Sequence, residues 1–356
     1  MSRSRLNRFR AMVLAAVTLM QIPTVTWLVS RAHSWWPVVL ATALSLPYLR
    51  RLTTPWEPGP RAPMYIALVW WTSCFVFDFL LIGAAIAIQL GAPADAAHLV
   101  AGALALSAGM LAVSGRARLV RRTVTIANLP PELDGYRIGH ISDVHCGRDT
   151  PASRVRTWVR RLNALNLDLI AVTGDLITSG ATYVDPVAGA LGGLRARDGV
   201  YACMGNHDYF TDGDRMALAL EHNGLTVLRN RGVTLRDGLH IAGVDDTWTS
   251  RDDMDAALAA RPRGAPVVLL AHDPNLFPQA MARDVDLMLS GHTHGGQLAV
   301  PGVRRLSLAR FITEFTAGLY RRGRSWLYVN RGAGTTGPPV RRGAPAELAV
   351  LTLRRA

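Results

Sequence analysis

The chain has 356 residues, 49% of them hydrophobic, with a mean hydropathy of +0.17, which is long enough for two domains or for one domain and a membrane part. All 39 basic residues are Arg and the formal net charge is +13, yet residues 1–122 hold 12 Arg against three acids (Glu57, Asp78, Asp95) while the rest holds 27 against 23. A basic excess gathered beside apolar segments fits membrane orientation and counts against a nucleic-acid footprint; three cysteines (Cys74, Cys146, Cys203) without a CxxC pair count against a disulfide framework and fit a reducing compartment.

Apolar stretches crowd the first third, at 11–29, 35–49, 64–90 and 96–114. About 20 apolar residues span a bilayer as a helix. The second stretch is short and carries Pro37 and Pro47. Arg clusters precede the first stretch, separate the second from the third (Arg50, Arg51, Arg61) and follow the fourth (Arg116, Arg118, Arg121, Arg122). Four crossings place every cluster on the cytoplasmic side. Three crossings, with 35–49 in the interface, would put the second and third clusters outside. The four-crossing pattern predicts a multi-pass protein of the cell membrane over 1–122, with residues 123–356 in the cytoplasm. Asp78 lies inside the third stretch, where a carboxylate is either functional or held between helices.

After Arg122 short apolar runs alternate with helical patterns: "YRIGHI", a helix near 151–165, "LDLIAVT", "VYACM", a helix near 212–222 and "LTVLRN". "VTLRDGLHIAGV" reads as a hairpin, followed by a helix near 252–260, "PVVLLA", "VDLMLS", "SWLYVN" and "AELAVLTLR". Runs of this length between glycine-containing loops predict buried strands, and the intervening helices predict a layered α/β domain. Ligand sites in such sheets lie beyond the carboxyl ends of the strands.

Five of these runs are followed directly by polar groups: Asp143 and His145, Asp175, Asn206-His207-Asp208, His272, and His292-Thr293-His294. Each alone has a bland reading: a turn Asp, an Asn or Asp helix cap, a loop His. Together they form a set of carboxylate, imidazole and amide ligands without thiolate, suited to divalent ions such as Mn, Fe or Zn. Two such ions about 3.5–4 Å apart clamp a phosphoryl group.

The series DxH, GD, GNHD, H and GHTH, in this order, resembles the calcineurin-like metallophosphoesterase superfamily over roughly 133–356. The sequence GHTHGGQ (291–297) and the tail "GLYRRGRSWLYVNRGAGTTGPPVRRGAPAELAVLTLR" (318–354) resemble its membrane-associated YkuE/YaeI-like branch. The resemblance implies a four-layer α/β/β/α sandwich behind the transmembrane helical region, and two divalent ions. It implies Asp143, His145 and His294 on the first metal, Asn206, His272 and His292 on the second, and Asp175 bridging. It also implies His207 facing the phosphate, with Asp208 orienting His207 or capping the next helix. Cys146 departs from the pattern, standing where relatives carry an aliphatic residue; it is expected to pack beside the site, with oxidation sensitivity as a consequence. The Arg pairs 160–161, 321–322 and 341–342 read as solvated, and His140 reads as a strand residue.

These readings predict a two-metal phosphoester hydrolase at the membrane, phosphatase or phosphodiesterase. The alternatives are a non-catalytic scaffold or sensor, against which the complete ligand set argues, and a nuclease, against which the weak charge excess of 123–356 argues. The stretch 306–326 mixes Phe311, Phe315, Leu319 and Tyr320 with Arg310, Arg321, Arg322 and Arg324. Read as exposed, it suits anionic lipid and a lipid-linked phosphoester as substrate.

Overall fold

The computed structural model describes residues 3–53, 61–113, 116–127, 129–297, 299, 307–336 and 339–356. The end of the fourth apolar stretch and Leu306 fall outside them. The chain divides into two compact units, Met1–Gly115 with Pro338–Val340, and Arg116–Gly337 with Arg341–Ala356.

The first unit is helical: α1 (Arg3–Ala32), α2 (Trp36–Thr53), α3 (Arg61–Gln89) and α4 (Ala94–Val113). Each apolar stretch is therefore a helix. Among the described residues only Tyr65–Gln89, within α3, is long and apolar enough to cross a bilayer; Trp36–Pro47 and Ala94–Met110 are apolar but shorter. Side-chain hydrogen bonds stitch three helices together. Trp70 Nε1 and Ser45 Oγ donate to Gln21 Oε1 (2.8 and 3.1 Å), and Trp71 Nε1 donates to Ser45 Oγ (2.9 Å). Thr24 Oγ1 donates to Asp78, which gives that carboxylate an interhelical partner.

The second unit contains twelve strands among the described residues. One sheet runs β1 (Arg118–Ile126), β12 (Glu347–Arg355), β2 (Arg137–Ile141), β3 (Leu169–Thr173), β4 (Val200–Cys203), β5 (Thr226–Val227). The other runs β10 (Gly318–Arg322), β11 (Ser325–Val329), β9 (Leu287–Ser290), β8 (Val267–Leu270), β7 (His240–Gly243), β6 (Arg231–Thr234). Both are mixed: β2 to β5 are parallel, as are β7, β8, β9 and β11, while β12, β6 and β10 supply the antiparallel pairings.

Strand alternation builds the layers. Leu169 and Ala171 point between the sheets, where they meet Val268, Leu270, Leu287 and Leu289. Ile170 and Val172 point the other way, onto α5 (Ala152–Asn163), α6 (Val184–Leu191) and α8 (Gly213–His222), through Trp158, Leu162, Leu191 and Leu220. Leu269 and Met288 cover α9 (Met254–Leu258) and α10 (Phe277–Ala282) through Ala257, Phe277 and Ala280. Burial on both faces is why these strands read as unbroken apolar runs. Each such Leu contributes about 1.5–3 kcal/mol by leaving water, and Leu289→Ala, at a fully buried inter-sheet position, costs about 2–5 kcal/mol.

The predicted hairpin is β6–β7. Two strands escaped the sequence reading. β1 starts directly behind the apolar region, and β10 lies in the 306–326 stretch, half of which is not a surface loop.

Candidate metal centre

The parallel strands of both sheets end at one place, and the seven candidate ligands follow those ends. Asp143 and His145 follow β2, Asp175 follows β3 and Asn206 opens the one-turn helix α7 (Asn206–Tyr209) after β4. His272 follows β8, and His292 and His294 follow β9. The backbone there is unusual. Asp143, His145, Asp175, His292 and His294 have φ of 49°, 45°, 54°, 67° and 52°, five of the eleven non-glycine residues with positive φ among the described residues. That region costs an L-residue energy and persists only where the surroundings impose it. Asp143 N donates to Gly174 O and His145 N to Asp175 O, locking adjacent strand ends together. Two glycines permit the approach. A Cβ on Gly291 would collide with Ser142 and the Asp143 carboxylate, and one on Gly205 would collide with Asp175.

Two groups of ligand atoms result, Asp143, His145, Asp175 and His294 in one and Asp175, His272 and His292 in the other, with the atoms of each group within 4.8 Å of one another. In the first, His145 Nε2 lies 2.9 Å from His294 Nε2 and 3.5 Å from Asp175 Oδ2, and His294 Nε2 lies 3.4 Å from Asp143 Oδ1. In the second, His272 Nε2 lies 3.3 Å from Asp175 Oδ2, and His292 Nδ1 lies 3.3 Å from His272 Nε2 and 3.2 Å from Asn206 Oδ1. Asp175 Oδ1 accepts from His207 N (2.9 Å), which leaves Oδ2 facing both groups. His272 Nδ1 donates to Thr173 O (2.7 Å), which leaves Nε2 as the nitrogen turned toward the Asp175 carboxylate. Converging imidazole nitrogens and carboxylate oxygens are all acceptors in their neutral and ionised forms, and a cation between them resolves the conflict. The donor set therefore fits two divalent ions.

The electrostatics without cations express the same conflict. Burial pushes His145 down to about 3, His292 down to about 4 and His294 well below the ordinary imidazole range. Burial also lifts Asp143 to about 6. Burial opposes charge on His272 too, but Asp175 beside it outweighs that and holds His272 up to about 10. Conversely, burial acts to raise Asp175, and His272 and His207 outweigh it, keeping the carboxylate well below its usual range.

The remaining expected residues divide. His207 Nδ1 donates to Thr178 O (2.7 Å), and its ring stands 4.8 Å from that of His145, at the edge of the ligand group. Asp208 does not orient His207. Its Oδ2 accepts from Gly205 N (3.0 Å) and its Oδ1 from Leu176 N (2.8 Å), so this fully buried carboxylate ties the Asn206 turn to the Asp175 turn. Cys146 packs into the helix-side core at 1% exposure, and burial raises its thiol to about 11. Burial of this kind disfavours the thiolate. Phe315 is not at the surface: it stacks edge-on against Phe277 and Tyr320 (5.5 and 5.3 Å) and is 2% exposed. Phe311, four residues earlier, is 89% exposed.

Sequence reasoning missed three residues here. Arg341 is buried, its Nη2 lies 3.1 Å from His294 Nδ1, and it donates to the carbonyls of His294, Gly334 and Ala344. The exposed rings of Trp248 and Phe210 stand against His292 and His207 (5.2 and 4.9 Å). None of the three has a local signal, because each gains its meaning from a neighbour distant in sequence or across a turn.

The model of the Calcineurin-like phosphoesterase family matches residues 136–296. Among curated proteins, the transmembrane protein with metallophosphoesterase domain of Danio rerio is 31% identical over 265 residues, 70% of this chain and 60% of its own length. The chain thus spans less than two thirds of that relative. The uncharacterized metallophosphoesterase YkuE of Bacillus subtilis is 33% identical over 239 residues, covering 65% of this chain and 84% of its own. An uncharacterized metallophosphoesterase of Aquifex aeolicus is 31% identical over 248 residues, covering 67% and 92%.

Proposed function

Since the chain belongs to the calcineurin-like metallophosphoesterase family, we propose that it hydrolyses phosphoesters with two divalent ions, Mn, Fe or Zn, at the strand-end centre. Asp143, His145 and His294 would hold one ion and Asn206, His272 and His292 the other, with Asp175 available to both. The observation that carries this reading is Asp175, whose Oδ2 faces both ligand groups while its Oδ1 is fixed by His207 N. When bound, such ions would supply positive charge against a phosphoryl group and lower the pKa of a bound water.

The chain's own residues do the rest. His207 has one nitrogen committed to Thr178 O, so Nε2 is the atom that hands a proton to the departing alcohol oxygen. Asp208 keeps the turns of Asp175 and Asn206 in register and does not touch substrate. Arg341 anchors the His294 turn from behind.

The same reading places the enzyme at the membrane, anchored through α3. The expected boundary at 122 falls inside β1 (Arg118–Ile126), so the four crossings lie ahead of that strand, the part from Arg116 to Ala356 is the cytoplasmic catalytic part, and the substrate is a lipid-linked phosphoester. The membrane location is supported by the apolar Tyr65–Gln89 helix and the name of the zebrafish relative; the four crossings rest on the Arg distribution alone, and the lipid-linked substrate on the exposed Phe311. Reporter fusions after Ala356 test the topology, and an external location would overturn it. For the chemistry, Asp175→Asn is the test. It should reduce turnover of a phosphoester panel to background and remove most bound metal, measured by elemental analysis. Near-normal metal and turnover would defeat the two-ion reading.

A further inference from the structure

In residues 116–356 the described aromatic side chains that stand exposed are Phe210, Trp248 and Phe311. Two of them touch histidines assigned above to the centre. Phe210, 51% exposed, adjoins His207, and Trp248, 58% exposed, adjoins His292. One ring thus stands beside each half of the site. The segments that carry them are tied together. Tyr209, next to Phe210, donates its hydroxyl to Asp245 Oδ1 (2.6 Å), and the Arg251 guanidinium lies 4.8 Å over the Tyr209 ring. The Trp248 turn is itself held, with Asp246 Oδ2 accepting from Thr249 N (2.9 Å) and Arg251 N donating to Asp246 O (3.0 Å). Fixed backbone, free rings and a shared latch describe a built surface. A single exposed ring is common on a protein surface, but two on latched segments, each against a site histidine, gain by gripping an apolar group.

We propose that Trp248 and Phe210 are specificity-determining residues that select phosphoesters whose alcohol carries an apolar group next to the ester oxygen. This rests on the phosphoesterase reading and narrows its substrate class: small polar phosphoesters fill the centre and leave both rings in water, whereas an apolar group beside the oxygen covers them.

The test uses the full chain in detergent, loaded with manganese, and calorimetric titration with three non-hydrolysable probes: inorganic phosphate, methylphosphonate and phenylphosphonate. Phenylphosphonate should bind about tenfold more tightly than methylphosphonate, the increment expected for covering an aromatic group with aromatic partners. The double variant Trp248→Ala/Phe210→Ala should bring the two within about threefold, with metal content and phosphate affinity kept, while Trp248→Phe keeps most of the preference. Equal binding of the two phosphonates by the natural chain, or an undiminished preference in the double variant, overturns the proposal. Failure of inorganic phosphate to bind the loaded chain would instead remove the phosphoesterase reading, and the proposal with it.

Discussion

Residues 1–115 and 116–356 treat apolar side chains in opposite ways. Among the described residues of the first unit, nineteen large apolar side chains are exposed, from Leu19 to Met110, among them Phe75, Phe79, Ile82 and Ile86 on α3. The larger second unit exposes five: Phe210, Leu218, Trp248, Phe311 and Ile312. Soluble domains keep such patches small, so the first surface asks for apolar surroundings and the second for water. The polar groups follow suit. Those of the helical unit link neighbouring helices, as Thr24 does with Asp78 and Trp70 and Ser45 do with Gln21. In the second unit, six buried or half-buried carboxylates and imidazoles gather at one set of strand ends.

The largest effect that sharpens this contrast concerns where the chemistry lies. His207→Ala should lower kcat about 100- to 10,000-fold while leaving metal content and membrane retention intact. Loss of metal in that variant would make His207 a ligand and redraw the centre. Next, two side chains of similar exposure should respond differently to the same change. Phe79 is 62% exposed and Leu218 is 66% exposed. Phe79→Asp should cost about 3 kcal/mol in a membrane-insertion assay, whereas Leu218→Asp should shift stability by no more than about 0.5 kcal/mol in thermal unfolding. Equal, small effects would break the comparison, because the helical unit would then face water. The most gradual effect lies in the inter-sheet core. Fully buried His140 is pushed down to about 3 by burial, with Nε2 held 2.8 Å from Thr173 Oγ1. A group lowered in the folded state gives stability that is present above its unfolded value near 6.5 and lost as pH falls toward 3. Replacing His140 by Gln should therefore flatten the acid limb of stability by up to about 1.4 kcal/mol per pH unit between those values. An unchanged slope would mean that His140 is not the group that titrates.

The sequence by itself determined the α/β order, every strand except β1 and β10, and the seven candidate ligands. Those features are local: an apolar run followed by a polar residue and a glycine announces a strand end within a few residues. That Asp175 belongs to both ligand groups was legible only as a resemblance; the chain fold decides that Oδ1 is occupied by a backbone N–H and that Oδ2 faces both groups. Tertiary structure alone decided the fate of residues whose role depends on what packs against them. Phe311 and Phe315 look alike in sequence, yet one lies in water and the other meets Phe277. Arg341 and Arg342 form one pair, yet Arg341 is buried against carbonyls and His294. Asp208, next to His207, gives its oxygens to the backbone of two other turns. A side chain's type and spacing fix what it can do, but burial and partners come from segments tens to hundreds of residues away, and no local pattern carries them.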